Sequence, residues 1–199
     1  MTAKKRTAIF GSGGGSNAQA LLDAMKDPAY PAEPVLIFSN KAGAGILQRG
    51  KDAEVMTVYL DPKGYASRED YDQALVNLLR ELKVEVVCFA GYMRIVTPVL
   101  VKAFAGKILN VHPALLPKFG GAGMYGHHVH EAVLRAGETE SGASVHLVSE
   151  GVDEGELLLQ ARVPVLAGDT AESLAKRVLE QEHHIYPQAL RILCEKLCI

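Results

Sequence analysis

Apolar residues recur along this chain in two alternating rhythms. Short apolar, β-branched runs predict strands at 7–10, 35–39, 55–58, 84–89 and 108–111. Between them, apolar positions three and four apart predict helices from about Asn17, over 44–51, and from Ser67 through Leu75, Leu78, Leu79 and Leu82. Strand alternating with helix builds a parallel sheet covered on both faces. Boundary residues sharpen the pattern. Ser67-Arg68-Glu69-Asp70 resembles a capping box with Asp in the fourth place, and Thr97-Pro98 sets a cap before a proline that opens a short helix to Phe104. A helix over 129–136 stops at Gly137. Two strands, 143–148 and 157–163, then follow with no helix between them, and a helical region from Thr170 should break or kink at Pro187. The expected fold is α/β: a single domain, 1–199, with a Rossmann-like, mostly parallel sheet flanked by helices and an antiparallel portion near the C-terminus.

Composition narrows the setting. With 199 residues, 48% of them hydrophobic, the chain can bury one full core and has little room for a second. Its formal net charge of -2, both signs scattered, offers no broad basic field to a nucleic acid, although a local pocket for a small anion fits. The basic start Met1 to Arg6 runs into a short strand and glycines rather than a signal-peptide core, and no apolar run approaches the ~20 residues of a membrane helix. Cys88, Cys194 and Cys198 make no disulfide framework, and Cys194 with Cys198 are too few ligands for structural zinc. A soluble, cytoplasmic protein follows, with small-molecule ligands, no nucleic acid and no membrane; monomer and homodimer are both compatible.

The densest chemistry lies at Asn110-Val111-His112-Pro113. Residues two apart on a strand project to one side, so Asn110 can donate a hydrogen bond beside a His112 that manages a proton. Pro113 stops the strand and places the pair at a carboxyl end, where open α/β sheets bind ligands. The run Gly11-Ser12-Gly13-Gly14-Gly15-Ser16-Asn17 joins the first strand to the first helix, and its N–H groups suit a phosphate. Residues 13–18 also fit the dinucleotide fingerprint, but the second strand ends in Ser39-Asn40-Lys41, with no acid for an adenosine ribose, and no P-loop is present. Asp153 lies in a turn between strands; paired with His112 it would favour the imidazolium. His127, His128 and His130 form H-H-x-H without a completing ligand set, so no metal is expected. Glu182-His183-His184 reads equally as an exposed helix end or a substrate contact.

Several longer stretches carry a resemblance: G-G-S-N-A-Q-A at 14–20, F-S-N-K at 38–41, S-R-E-D-Y-D at 67–72, A-G-Y-M-R-I-V at 90–96, N-V-H-P-A-L-L-P at 110–117, G-A-S-V-H-L-V at 142–148 and Q-E-H-H-I-Y-P at 181–187. Over nearly its whole length the chain resembles the glycinamide ribonucleotide formyltransferases, folate-dependent enzymes of purine biosynthesis. The resemblance implies 10-formyltetrahydrofolate as co-substrate, glycinamide ribonucleotide as formyl acceptor, and no metal. It assigns Gly15, Ser16 and Asn17 to the ribose phosphate and Glu182 to the glycyl amine. Folate binding falls to Arg68, Met93, Arg94, Ile95, Val96 and Asn110, and catalysis to Asn110, His112 and Asp153. The loop 119–128 departs from the family pattern: it is longer, glycine-rich, and has Ala122 where similar members carry a basic residue. Methionyl-tRNA formyltransferase and formyltetrahydrofolate hydrolase share the N-x-H-P core, but they are expected to carry further domains, whereas the first strand here starts within ten residues of Met1.

Overall fold

The computed structural model describes residues 3–198, so Met1, Thr2 and Ile199 of the expected domain lie outside it. The strands are β1 (Lys5–Phe10), β2 (Ala32–Ser39), β3 (Thr57–Tyr59), β4 (Val86–Phe89), β5 (Ile108–His112), β6 (Glu140–Leu147) and β7 (Leu157–Pro164). They form one sheet in the order β3-β2-β1-β4-β5-β6-β7. Pairing is parallel from β3 through β5 and antiparallel from β5 to β7; the missing helix between 148 and 157 implies the β6–β7 part, whereas β5 and β6 pair antiparallel across an intervening helix. The helices are α1 (Ser16–Met25), α2 (Gly45–Asp52), α3 (Arg68–Glu81), α4 (Pro98–Ala103), α5 (His127–Arg135) and α6 (Ala171–Lys196).

Period-two alternation divides the core into two layers. Ile9, Ile37, Cys88 and Leu109 point to one face, beneath Leu21 and Leu22 of α1 and Leu190 and Leu193 of α6. Ala8, Phe10, Leu36, Phe38 and Val87 point to the other, against Leu75 and Leu79 of α3 and Leu100 of α4. Strands buried on both faces read as continuous apolar runs, which is why 35–39 and 84–89 stood out.

Three local expectations give way to tertiary structure. Strand β2 begins at Ala32 because Val35 is bulged out of register between the pairs Thr7/Pro34 and Ala8/Leu36, a position that tolerates a proline without an N–H. Strand β3 starts at Thr57 because the Val55 N–H is used to close the end of α2 on the Gly50 carbonyl, at 2.9 Å. Helix α6 neither stops nor restarts at Pro187: Ile185, Tyr186, Ala189 and Leu190 are buried on both sides of it, and burial of that face outweighs one lost backbone hydrogen bond. The Pro187 carbonyl accepts from the Tyr30 hydroxyl at 2.6 Å, and the Tyr186 hydroxyl lies 3.0 and 3.2 Å from the Phe89 and Leu109 carbonyl oxygens. Ser67 caps α3 by accepting from the Asp70 N–H, but Asp70 answers the Ser67 hydroxyl rather than its backbone, so the expected box is half formed.

Connections run outward from β1 to β3 and then return to β4 on the other side of β1, which puts a topological switch between β1 and β4. Ser12 ties that junction together. Its N–H donates to the Gly91 carbonyl (2.9 Å), its hydroxyl donates to Asn40 Oδ1 (2.6 Å), and the Met93 N–H donates to that hydroxyl (2.9 Å).

Candidate active site

At the carboxyl ends of β4 and β5 lies a cavity of about 570 Å³, within the range of small-molecule sites. Asn110 and His112 both line it from β5, as their spacing requires. The antiparallel register sets His146 of β6 directly opposite Asn110. From the β6–β7 loop Asp153 enters, its backbone in the left-handed region at φ 59°. Sparse conformations of this kind in non-glycine residues persist where the surroundings enforce them.

These four side chains form one cluster. Asp153 Oδ2 lies 3.4 Å from His112 Nδ1 and accepts from the Gly121 N–H at 3.1 Å, while Oδ1 lies 3.4 Å from His146 Nε2. Asn110 Nδ2 is 3.1 Å from His146 Nε2 and 3.5 Å from Asp153 Oδ1. His146 Nδ1 meets the Leu147 carbonyl at 2.9 Å, so Nε2 accepts from the Asn110 amide when the ring is neutral and donates to Asp153 when it is charged. His112 Nε2 donates to the Phe119 carbonyl at 2.7 Å.

The protonation balance differs from the one expected. Burial pulls the His112 pKa down, while the Asp153 charge and the Phe119 carbonyl push it up; burial prevails, and the ring titrates below its ordinary value. Asp153 thus favours the imidazolium without fully securing it. On Asp153 itself burial acts upward, but the hydrogen bond from His146, the charge of His112 and the Gly121 N–H outweigh it and hold the carboxyl below its usual range.

Toward α1 and α6 the cavity ends at Asn17 and Glu182. Asn17 Nδ2 donates to Glu182 Oε2 at 2.5 Å, and Asn17 Oδ1 is buried with no partner among the described residues. Glu182 is only 8% exposed, so this stretch of α6 is no exposed helix end, and burial raises its carboxyl pKa against the Asn17 hydrogen bond. At the opposite end Met93, Arg94, Ile95 and Val96 line the cavity, with the Met93 and Ile95 side chains about half exposed and Arg94 stacked 4.8 Å over the Tyr71 ring.

Three nominated residues stand outside this lining. Arg68 is exposed, and its Nη2 donates to the Ile95 carbonyl at 2.5 Å, so it steadies the 93–96 run from behind. Gly15 sits at φ 74° against α2, where a Cβ would come within 2.8 Å of Ile46; its first constraint is packing. Ser16 opens α1 beside it. Among H-H-x-H, His127 and His130 face the cavity while His128 turns to Glu131 at 3.6 Å, and no three ligating groups converge among the described residues.

His146 escaped sequence reasoning. Its one signal is Ser144 and His146 two apart in an otherwise apolar strand, a polar stripe whose partner only the β5–β6 register reveals. Ser144 is part of the same scaffold: its hydroxyl donates to the Ala114 carbonyl at 2.6 Å and accepts from the Leu116 N–H at 3.1 Å, fixing the chain just beyond His112.

Comparison with known proteins agrees with this geometry. The formyl transferase family model matches residues 5–190. A trifunctional purine biosynthetic protein adenosine-3 of Drosophila pseudoobscura pseudoobscura is 46% identical over 192 residues, 96% of this chain but 14% of that protein's own length. The chloroplastic phosphoribosylglycinamide formyltransferase of Arabidopsis thaliana is 42% identical, across 97% of this chain and 66% of the relative. The crystal structure of phosphoribosylglycinamide formyltransferase from Brucella melitensis superposes with a TM-score of 0.89 at 46% identity, covering 96% of each chain. A sheet that turns antiparallel beyond β5, an N-x-H-P strand end and a match along almost the whole length all point the same way: this chain belongs to the formyl transferase family.

Proposed function

We propose that this chain, as a single formyltransferase domain, transfers the formyl group of 10-formyltetrahydrofolate to the primary amine of glycinamide ribonucleotide, giving formylglycinamide ribonucleotide and tetrahydrofolate in de novo purine biosynthesis. One observation carries the reading: a single cavity joins the Asn110–His112–Asp153 cluster to Asn17 and Glu182 at one end and to the half-exposed Met93 and Ile95 at the other. The names of the Arabidopsis and Brucella relatives support it.

In this reading the amine attacks the formyl carbon to give a tetrahedral intermediate, and the bond to the folate nitrogen then breaks. Asn110 Nδ2 donates to the formyl oxygen, where negative charge develops; its long 3.5 Å approach to Asp153 is the contact the substrate oxygen replaces. The attacking amine loses a proton and the departing folate nitrogen gains one. His112, backed at Nδ1 by Asp153, is the group placed to carry it when Nε2 turns from the Phe119 carbonyl to the substrates, and developing oxyanion charge favours its imidazolium just when that form is needed. No covalent enzyme intermediate arises. Glu182, held above the usual carboxyl range by burial, takes the proton that the glycyl ammonium must lose before it attacks as a neutral amine. The first-turn N–H groups of α1, whose cap Gly15 offers no side-chain acceptor, take the ribose phosphate together with Ser16 and Asn17. Met93 to Val96, backed by Arg68, hold the folate ring. Holding both substrates in one cleft contributes several kcal/mol, up to roughly 10, through orientation alone. The three free thiols Cys88, Cys194 and Cys198 favour a cytoplasmic setting, and both proposed ligands are small molecules.

A spectroscopic assay of tetrahydrofolate release, with and without glycinamide ribonucleotide, tests the proposal. Release that depends on the ribonucleotide is expected. Release without it would indicate a hydrolase, and tight NADPH binding with no ribonucleotide affinity would return the chain to the dinucleotide reading.

A further inference from the structure

His130 lines the same cavity and has no part in the chemistry above. It belongs to the first turn of α5, three residues after His127, and is only 4% exposed. Its Nδ1 is wholly buried and has no hydrogen-bond partner among the described residues. A buried nitrogen without a partner is tolerated more readily as a bare lone pair than as an orphaned N–H, so the ring proton belongs on Nε2, the nitrogen left to the cavity. Burial, with the neighbouring His127 and His112, lowers the His130 pKa to about 4, which keeps the ring neutral through the physiological range. With its Nδ1 lone pair buried, the ring presents only the Nε2–H donor to the cavity, which calls for an oxygen acceptor.

Placement identifies the ligand half. Helix α5 packs on α6, and the α6 residues that share the cavity are Ala175, Lys176, Leu179 and Glu182, the last at the end where it meets Asn17. We infer that His130 Nε2–H is a positioning and specificity contact for the amine substrate, donating to an oxygen of the bound ribonucleotide. This rests on the function proposed above. A neutral donor there orients the acceptor without adding a positive charge that would compete with the glycyl ammonium for Glu182, as a lysine in its place would.

The test compares His130→Leu, which fills the volume and removes both nitrogens, with His130→Gln, whose terminal amide can place a donor near the position of Nε2. His130→Leu should raise KM for glycinamide ribonucleotide about tenfold, the scale of one lost hydrogen bond, with KM for 10-formyltetrahydrofolate unchanged. His130→Gln should recover most of that loss. Nitrogen-15 spectra of the wild-type ring should show the neutral Nε2–H tautomer at pH 7, its Nε2 signal shifting with the ribonucleotide and not with the folate alone. Wild-type kinetics in His130→Leu, equal rises in both KM values, or an Nδ1–H tautomer would overturn the inference while leaving the formyl-transfer reading intact. A wild-type protein that releases no tetrahydrofolate with the ribonucleotide would overturn that parent reading, and the ligand assigned to His130 with it.

Discussion

Two glycine-rich loops border the cavity, and the balance of what glycine does differs between them. In the loop 11–17 crowding acts at Gly11 and Gly15: a Cβ on Gly11 would come within 2.6 Å of Ile46 Cδ1 and 2.9 Å of the Ala90 carbonyl oxygen, and one on Gly15, which also has φ 74°, within 2.8 Å of Ile46 Cβ, while Gly13 and Gly14 face open space. In the loop 119–126 crowding is confined to Gly120, whose Cβ would come within 2.5 Å of Leu116 Cδ2, and the other glycines answer backbone conformation. Gly121, Gly123 and Gly126 have φ of 93°, 86° and 54°, and a Cβ on any of them would meet nothing within 4 Å. The first loop is held by the core through Ile46 and the Ser12 bridge. The second is held by the reactive cluster itself, through Phe119 to His112 and Gly121 to Asp153, with Phe119 in the left-handed region at φ 56°. One loop is therefore a preformed wall, and the other is coupled to the protonation and geometry of the groups proposed to perform the chemistry.

The comparison breaks most sharply at His112. His112→Ala should lower turnover by about 10² to 10³, the usual loss for a group acting on the transition state. Amide exchange should quicken in the second loop and stay unchanged in the first. Near wild-type turnover, or equal acceleration in both loops, would mean that the cluster neither catalyses nor anchors its loop.

Next in size is Gly15→Val. A β-branched side chain at φ 74° against Ile46 should cost about 2 to 4 kcal/mol of stability through overpacking and backbone strain, read as a lower denaturation midpoint. Both ligands should weaken together through loss of the folded wall. A selective loss of ribonucleotide affinity at an unchanged midpoint would make the first loop a ligand cradle before it is a packing element.

Acidification separates the loops more gently. His112 and Asp153 both titrate below their ordinary values, 6.5 and 3.8, so the unfolded chain binds protons that the folded chain refuses. Their stabilisation is complete above those ordinary values. It declines as pH falls below 6.5, through the folded pKa of His112, and again below 3.8, through that of Asp153. Asp153→Asn removes the charge that raises His112, so imidazole NMR should show a still lower His112 pKa, together with a large turnover loss. An unchanged His112 pKa in that variant would refute the coupling.

Gly123→Ala should do least. With open space at the Cβ, only the left-handed φ opposes the change, at roughly 1 kcal/mol, and the denaturation midpoint should barely move. A loss as large as that of Gly15→Val would erase the distinction between the loops.

Local pattern determined the alternation of strand and helix, the two-sided burial of 35–39 and 84–89, and the shared side of Asn110 and His112, because each follows from the 3.6- and 2-residue periods. The antiparallel pairing of β6 with β7 was legible too, from two successive strands without a helix between them, whereas β5 pairs antiparallel with β6 despite the intervening α5. Motif resemblance supplied Asp153 and Glu182, which spacing alone left as a solvated turn and an ambiguous helix segment. Tertiary structure decided the rest. Register brought His146 opposite Asn110, and no periodicity encodes register between strands separated by residues 113–139 of other structure. Packing carried α6 through Pro187, since apolar burial on both sides exceeds a one-residue propensity. Desolvation set His112 below its ordinary pKa despite Asp153, because the cost of burying a charge depends on everything around it and on no single neighbour in the chain.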